Sequence, residues 1–170
     1  MGKRGRILVV AVTGVLLLLS GSLCAYILVN RMSPVRSYES GASSSPQHVL
    51  IATQGSAFKQ RLVATIVTRL ETRRLYVKVI DVSGLGDIDA AKWQAIVLVH
   101  TWEIGKPPPV VSDFVARVAE PRKVIGITTS GSGREKLAGV DVISSASVLS
   151  NVPELTRQIT TKLDARLARP

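Results

Sequence analysis

The sequence predicts an α/β domain with three layers and a five-stranded parallel sheet, preceded by one transmembrane helix. Strand and helix patterns alternate along residues 48–170 in the order βαββαββα. The strands are almost continuously apolar, which is typical of parallel strands covered on both faces. Before them, residues 7–29 form a run of 23 residues without a charge. At a helical rise this run covers about 34 Å, enough for a hydrocarbon core of roughly 30 Å.

These patterns divide the chain into four segments. They are a basic N-terminal flank at residues 1–6, a transmembrane signal anchor at 7–30, a flexible linker at 31–47 and the α/β domain at 48–170. The linker is rich in serine, contains proline and lacks apolar periodicity, which is typical of a solvated tether. The domain is long enough to bury a core of its own.

A cleaved signal peptide is the alternative to an uncleaved anchor. Its apolar region is usually shorter and ends in small residues just before the cleavage site. Residues 22–26 match that pattern poorly because the apolar run resumes at Ile27. The sequence therefore favours an anchor that is kept.

Flanking charges predict the orientation of this anchor. Three basic residues, Lys3, Arg4 and Arg6, precede the apolar run, and Arg31 and Arg36 follow it. The positive-inside rule places the more basic flank in the cytoplasm. We therefore expect a single-pass membrane protein with its domain on the extracytoplasmic side, although the difference in charge is small.

Charge and composition restrict the partners. The net charge is +10, and most of the excess lies after residue 30. Such an excess suits an anionic surface or a membrane protein partner, although it also serves solubility alone. Nucleic acid is not expected, because aromatic residues are few and no binding signature occurs. With Cys24 as the single cysteine and two distant histidines, neither a disulfide nor a metal site is expected.

The domain begins with a strand at residues 49–52 and an amphipathic helix. Apolar residues recur at every fourth position of that helix, and basic residues are expected on its outer face. The apolar positions are Phe58, Leu62, Ile66 and Leu70, and the basic ones are Lys59, Arg61, Arg69 and Arg73.

A second strand is predicted at residues 75–81, and three more strands and two helices follow it. Apolar and polar residues alternate in this second strand. In that strand Lys78 stands between two valines, which predicts an edge position. A central strand at 93–99 is followed by a helix at 111–118. Strands at 123–128 and 140–143 are separated by only a turn, since about ten residues are short for a helical crossover. The last helix is predicted to begin at Asn151, an N-cap with Glu154 three residues later.

Small polar residues follow four of the predicted strands. Because parallel strands end at one edge of the sheet, these loops are expected to meet there and form a ligand crevice. Glycine and serine let backbone N–H groups approach an anion. The alternative is that loops are rich in such residues for conformational reasons alone. The loops are residues 53–56, 100–103, 128–133 and 144–147.

Residues 48–170 resemble the flavodoxin-like fold. The resemblance rests on the strand–loop–helix entry at residues 48–59, the approach to the third strand at 89–97, Gly105-Lys-Pro-Pro-Pro109 after that strand, and Thr129-Ser-Gly-Ser-Gly133 after the fourth. It implies that FMN is bound at the first loop, where flavodoxins carry Thr/Ser-x-Thr-Gly-x-Thr. Thr53 matches the first position of that motif. Gly55, Ser56 and Phe58 stand where the family has Thr, Gly and Thr.

The resemblance also implies a set of cofactor-binding positions. Backbone donors of the first loop would hold the phosphate, Lys59 would add charge, and Trp102 would stack on the flavin unless it packs across its own loop. The implied positions are Thr53, Gln54, Gly55, Ser56, Ala57, Lys59, Thr101, Trp102, Glu103, Thr129, Ser130, Gly131, Ser132 and Gly133.

Two functions from different classes remain. The first is a membrane-anchored, non-catalytic ligand-binding or assembly domain with a degenerate phosphate loop. The second is an FMN-binding electron-transfer module that serves a membrane partner. A hydrolase is a weaker third, because Gly-x-Ser-x-Gly is absent and His100 is the only candidate base. The sequence does not decide whether the protein is an enzyme.

Overall fold

The computed structural model describes residues 2–30, 32–103 and 105–168, without the side chains of residues 3, 4, 6–8, 10, 11 and 26–30. The chain divides into two units, Met1–Met32 and Ser33–Pro170. The first contains one helix, α1 (Lys3–Asn30). The side chains of residues 12–25 are exposed.

The predicted membrane segment, residues 7–30, lies within α1. Part of this prediction, at residues 7, 8, 10, 11 and 26–30, falls on side chains outside the described set. In the portion of the chain that is described, we find no helix with the length and apolarity needed to cross a membrane.

The second unit alternates strands and helices, as the sequence predicts. Two short 3-10 turns link the third and fourth strands, and two more precede the fifth strand and the last helix. The elements are β1 (Tyr38–Ser40), β2 (His48–Thr53), α2 (Ala57–Glu71), β3 (Tyr76–Asp81), β4 (Ala95–Thr101), α3 (Pro109–Arg117), β5 (Val124–Thr129), β6 (Asp141–Ser145) and α4 (Val152–Leu167).

The sheet has six strands in the order β1-β3-β2-β4-β5-β6. The last five are parallel, and only β1 runs antiparallel to its neighbour. Counted among themselves, the parallel strands have the order 2-1-3-4-5 of flavodoxin-like sheets. The predicted parallel α/β class is therefore confirmed, whereas the predicted number of five strands is wrong.

The additional strand, β1, lies in the segment predicted as a flexible linker. It pairs with β3, so that Glu39 lies opposite Lys78 and its Oε1 is 3.1 Å from the lysine Nζ. The prediction that residues 75–81 form the edge is wrong for the same reason, because β1 covers that edge. Gly41 ends β1 with φ of +80°, and a Cβ there would lie 2.1 Å from the Leu75 carbonyl oxygen.

Two apolar layers cover the sheet. In β2, Val49 and Ile51 join the buried cluster under α2 and α4, while Leu50 and Ala52 join the cluster under α3. All four side chains are fully buried. This two-sided burial explains why the strand is apolar without alternation.

The connections around β6 differ in part from prediction. No helix forms between β5 and β6, as expected from the short spacing. Asn151 stands at the predicted N-cap position of α4, but its side chain makes no capping bond and instead donates to Ser145 Oγ at 3.3 Å. A 3-10 turn, Leu149–Asn151, leads directly into α4, so the Asn151 backbone is already helical, with φ of −82° and ψ of −13°, instead of extended as at an ordinary N-cap.

Candidate functional site

The loops after β2, β4, β5 and β6 lie side by side at the carboxyl edge of the sheet. The register pairs Thr53 with Val99, Thr101 with Thr129, and Thr129 with Ser145. Thr53 and Thr129 are buried at the base of their loops. Parallel pairing therefore brings together the strand ends and loops that contain twelve of the fourteen predicted ligand positions, and the other two, Ala57 and Lys59, lie in the first turn of α2.

Gln54 fastens the end of β2 to the end of β4. Its backbone N–H donates to the Val99 carbonyl at 3.1 Å, and its side-chain oxygen accepts from the Thr101 N–H at 2.7 Å. Its side-chain nitrogen donates to Glu103 Oε1 at 2.9 Å. The buried amide thus has partners inside the protein on both sides, and these contacts position the edge.

Gly55 pairs with the segment that precedes β1. Its N–H donates to the Ser33 carbonyl at 3.0 Å, and the Ser33 N–H donates to the Gly55 carbonyl at 3.2 Å. A Cβ on Gly55 would lie 2.1 Å from the Ser33 oxygen, so only glycine fits. Farther along, the Val35 N–H donates to Asp81 Oδ2 at 2.9 Å. We call residues 33–40 the strap.

The strap binds a backbone donor that we expected to bind a ligand. The Gly55 N–H was expected to belong to an anion-binding turn, and it is already bonded to Ser33. An anion at this N–H would have to displace the strap. The linker prediction missed this contact because its serine-rich composition carries no pairing signal.

Ser56 and Ala57 begin α2. Ser56 is the N-cap, and its Oγ accepts from the Lys59 N–H at 3.3 Å. Ala57 is the first helical residue. This is ordinary N-capping, which satisfies a first-turn donor from within the chain.

Lys59 departs from its predicted position. The sequence placed it on the outer face of the helix, and its side chain is fully buried. Side chains in a helix lean toward the N-terminus, so a lysine in the first turn reaches back to the sheet edge. Its Nζ donates to Thr101 Oγ1 at 2.5 Å. Burial lowers the pKa of Lys59 to about 8, and the Glu103 carboxylate opposes that shift.

Hydroxyl groups continue from this lysine across the sheet. Thr101 Oγ1 lies 2.9 Å from Thr129 Oγ1, which in turn donates to the His100 carbonyl at 3.3 Å. With Lys59 donating to Thr101, Thr101 to Thr129 and Thr129 to that carbonyl, each of the two hydroxyls both accepts and donates a hydrogen bond. These hydroxyls give the buried ammonium group an acceptor within the chain, and its lowered pKa shows that burial still disfavours its charge.

His100 lies buried on β4. Its Nε2 is 3.2 Å from Thr128 Oγ1. Burial lowers its pKa to about 4, so the ring is neutral near pH 7. A histidine without solvent exposure is a poor general base, which weakens the hydrolase alternative.

The loop after β5 closes around a carboxylate that the sequence did not single out. Ser130 Oγ donates to Glu135 and accepts from the Gly133 N–H at 2.8 Å, and Ser132 Oγ contacts Glu135 Oε1 at 2.8 Å. These hydroxyls lower the pKa of Glu135 to about 2, with Ser130 as the largest cause. Gly131 lies at the exposed tip. An internal anion therefore stands where a ligand was expected.

Trp102 lies between the sheet edge and α3. Its backbone N–H donates to the Thr129 carbonyl at 2.8 Å. The half-buried residue lines a surface cavity of about 560 Å³ with Pro107 and Leu137. Glu103 pairs with Lys106 through backbone bonds of 2.8 and 3.0 Å, closing a turn beside it.

Sequence reasoning therefore missed Ser33 and Glu135. The sequence does contain a signal for Glu135. Ser130 and Ser132 are followed by this acid within three residues, and short hydroxyl side chains readily form local hydrogen bonds in a turn. For Ser33 we find no such signal. Within the described residues no cluster of histidine, cysteine and acidic side chains could hold a metal.

No known protein-family model matches the sequence, and no curated protein matches it significantly. Solved structures found to be similar include oxidised flavodoxin 2 from Bacillus cereus, with 13% identity and a TM-score of 0.47 over 69% of this chain and 99% of that chain. General stress protein 14 from Treponema denticola, in complex with FMN, has 13% identity and a TM-score of 0.41 over 71% and 99%. A lysine decarboxylase from Francisella novicida has 13% and 0.43 over 73% of this chain and 18% of its own. All three scores lie below 0.5, and the fold assignment rests on the strand order alone.

Proposed function

We propose that this protein is a membrane-anchored, non-catalytic domain of flavodoxin-like topology that serves in assembly with a partner. The observation that carries the proposal is the pairing of Ser33 with Gly55, in which the chain's own strap uses the first-loop donor. Glu135 supports it in the same way, because its carboxylate accepts hydrogen bonds from the hydroxyls of Ser130 and Ser132. The loops of the crevice thus bind parts of the chain itself.

The apolar character of α1 supports the anchor. Its described residues include leucines and valines that are more than half exposed, of which Leu18 is 73% exposed. A helix that is apolar on all sides needs a cover of lipid or protein. Together with the basic flank, this supports an anchor whose N-terminus faces the cytoplasm and whose domain lies outside.

FMN binding is the second candidate function. The strand order and the Ser56-capped helix at the end of β2 favour it, because a helix N-terminus at this edge suits a phosphate. In this alternative the flavin would supply the redox chemistry, and the chain would bind and orient it. The phosphate would have to compete with Ser33 for the Gly55 N–H.

Flavin fluorescence separates the two candidates. The full chain in phosphatidylcholine nanodiscs is mixed with FMN, and quenching is followed as protein is added in excess. We expect no quenching by the wild type. Quenching that saturates at one FMN per chain, and is lost in Trp102→Ala, would establish the flavin module and overturn the assembly proposal.

A pair of glycine variants tests the role of the strap in that assay. Gly55→Ala forces Ser33 away, because the new Cβ would lie 2.1 Å from its carbonyl oxygen, whereas Gly131→Ala adds a Cβ in open space. If the strap alone blocks an intact flavin site, Gly55→Ala gains quenching and Gly131→Ala does not. We expect neither variant to quench, since Glu135 still fills the neighbouring loop.

A further inference from the structure

A groove runs along the surface between α2 and α4. Its volume is about 700 Å³, and its lining residues come from these two helices and the turn before α4. Arg61, Thr65 and Arg69 line it from α2, and Val152 and Thr156 from α4. Ala57, the first residue of α2, also lines it, so one end of the groove adjoins the loop after β2, whereas the two arginines lie farther along the helix.

The apolar part of the groove lies at its α4 end. Leu149 and Pro153 line it together with the buried Val152. Leu149 is 58% exposed and the adjacent Val148 is 48% exposed. Two neighbouring exposed apolar side chains beside a concave surface favour an apolar ligand face.

Two arginines form the opposite, cationic wall. Arg61 and Arg69 are eight residues apart on one helix, so they lie on the same side about 12 Å apart along the axis. Both residues are exposed, and among the described residues neither guanidinium has an acidic partner. The wall thus carries two positive charges available to a ligand.

The acids of α4 are engaged elsewhere. Glu154 binds Arg157 at 2.6 Å and also accepts from Gln158, and Asp164 pairs with Arg73. None of these carboxylates neutralises the groove arginines. The two groove arginines are therefore open to a ligand of opposite charge.

Thr156 lies at the floor of the groove. It is only 1% exposed, and within the described structure its Oγ1 has no hydrogen-bond partner. Because this oxygen is buried, it is not a contact point for a ligand. The groove therefore offers a ligand an apolar end and two cations.

We propose that this groove docks an acidic amphipathic helix of a partner protein. Carboxylates seven or eight residues apart on such a helix match the spacing of Arg61 and Arg69, and leucine-type side chains between them match the apolar end. This inference rests on the proposed assembly function and names the chemistry of its partner.

A second copy of the chain fits this surface less well. Residues 31–170 carry seven more basic than acidic groups, so two copies repel each other, and the acids on α4 are already paired. A flat bilayer surface also fits a concave groove poorly. A helix fills such a groove along its whole length.

Fluorescence anisotropy with a designed peptide tests the proposal. The probe is a labelled amphipathic helix with glutamates at positions i and i+7 and leucines between them. Full-length protein in phosphatidylcholine nanodiscs is titrated into it, with empty nanodiscs as the blank. We expect saturable binding that weakens at least tenfold with a glutamine-for-glutamate peptide or a scrambled one.

Two double variants locate the site. Arg61→Gln with Arg69→Gln should weaken binding at least tenfold, whereas Arg122→Gln with Arg134→Gln removes the same charge outside the groove and should change it less than twofold. Leu149→Asp should weaken binding by a similar factor to the first pair. Circular dichroism checks that each variant is folded.

Four results would overturn the proposal. They are no binding to wild type, equal loss in both double variants, a wild-type dimer that only the groove variants dissociate, or groove-dependent binding to phosphatidylserine vesicles without peptide binding. The FMN assay on the same sample keeps the two proposals separate. Absence of peptide binding together with absence of quenching would reject the groove alone.

Discussion

The backbone of Ser33 pairs with the backbone of Gly55 through reciprocal hydrogen bonds of 3.0 and 3.2 Å. This contact joins the chain just before β1 to the loop between β2 and α2. It makes the strap part of the domain rather than a tether, and it uses a donor at the position where a flavodoxin-like loop meets phosphate.

Gly55→Ala should release the strap. The new Cβ would lie 2.1 Å from the Ser33 carbonyl oxygen, so both hydrogen bonds are lost, each worth about 1 kcal/mol. Trypsin cleavage after the exposed Arg36 should become several times faster, as followed by mass spectrometry of the full chain. Gly131→Ala serves as the control and should cleave at the wild-type rate. Equal rates in both variants would show that the pairing does not hold the strap.

Exchange of charge between Glu39 and Lys78 should test the pairing of β1. Glu39→Lys places two lysines opposite each other and should lower the free energy of unfolding by about 0.5 kcal/mol. Adding Lys78→Glu should restore most of that loss, as measured by urea unfolding of the full chain in micelles. A double variant no more stable than Glu39→Lys would contradict the observed register.

Lys59→Met should remove a pH dependence of stability. The folded pKa of about 8 lies below the ordinary value of 10.5, so the unfolded chain binds more protons between these pH values and stability rises with pH there. The contribution is about 3 kcal/mol by pH 10.5. The variant should be more stable than wild type at pH 7, and the two should converge at high pH.

Urea midpoints measured from pH 7 to 10.5 check this expectation. Lys106→Met, at an exposed lysine, is the control and should keep the wild-type slope. If Lys59→Met retained that slope, the burial of this ammonium group would be incorrect.

Glu135→Gln should loosen the loop after β5. The hydroxyls of residues 130 and 132 lower the folded pKa of Glu135 to about 2, so its ionised form stabilises the loop above pH 4.5 and that stabilisation is lost as the pH falls toward 2. Hydrogen exchange of residues 130–135 at pH 7 should be faster in the variant, while Glu120→Gln should leave it unchanged. Unaltered exchange in Glu135→Gln would reject an internal anion as the group that orders this loop.

Particular residues show which parts of the fold the sequence predicts. Fully apolar strands such as residues 49–52 and the four-residue spacing of α2 are local patterns, and they predict the parallel sheet and its helical layers correctly. The three residues of β1 show no alternation of apolar and polar residues. They form a strand because the edge of β3 offers them hydrogen-bond partners. A one-dimensional pattern does not contain that partner.

The candidate site divides in the same way. Parallel strands place the loops at one edge, so their neighbourhood could be predicted. The contacts that the loops make depend on residues that are distant in sequence or whose side-chain positions were predicted incorrectly. Ser33 reaches Gly55 across more than twenty residues, Glu135 turns back on Ser130, and Lys59 lies in the first turn, where helical periodicity does not report the reach of a long side chain.

Amide hydrogen exchange at Gly55 tests the central claim most directly. The measurement is made on the full chain in nanodiscs, with and without excess FMN, and Gly131 at the exposed loop tip is the internal reference. A hydrogen bond to Ser33 predicts exchange at Gly55 that is slower than at Gly131 by at least tenfold and unchanged by FMN. Exchange as fast as at Gly131, or protection that appears only with FMN, would show that the strap does not occupy this loop.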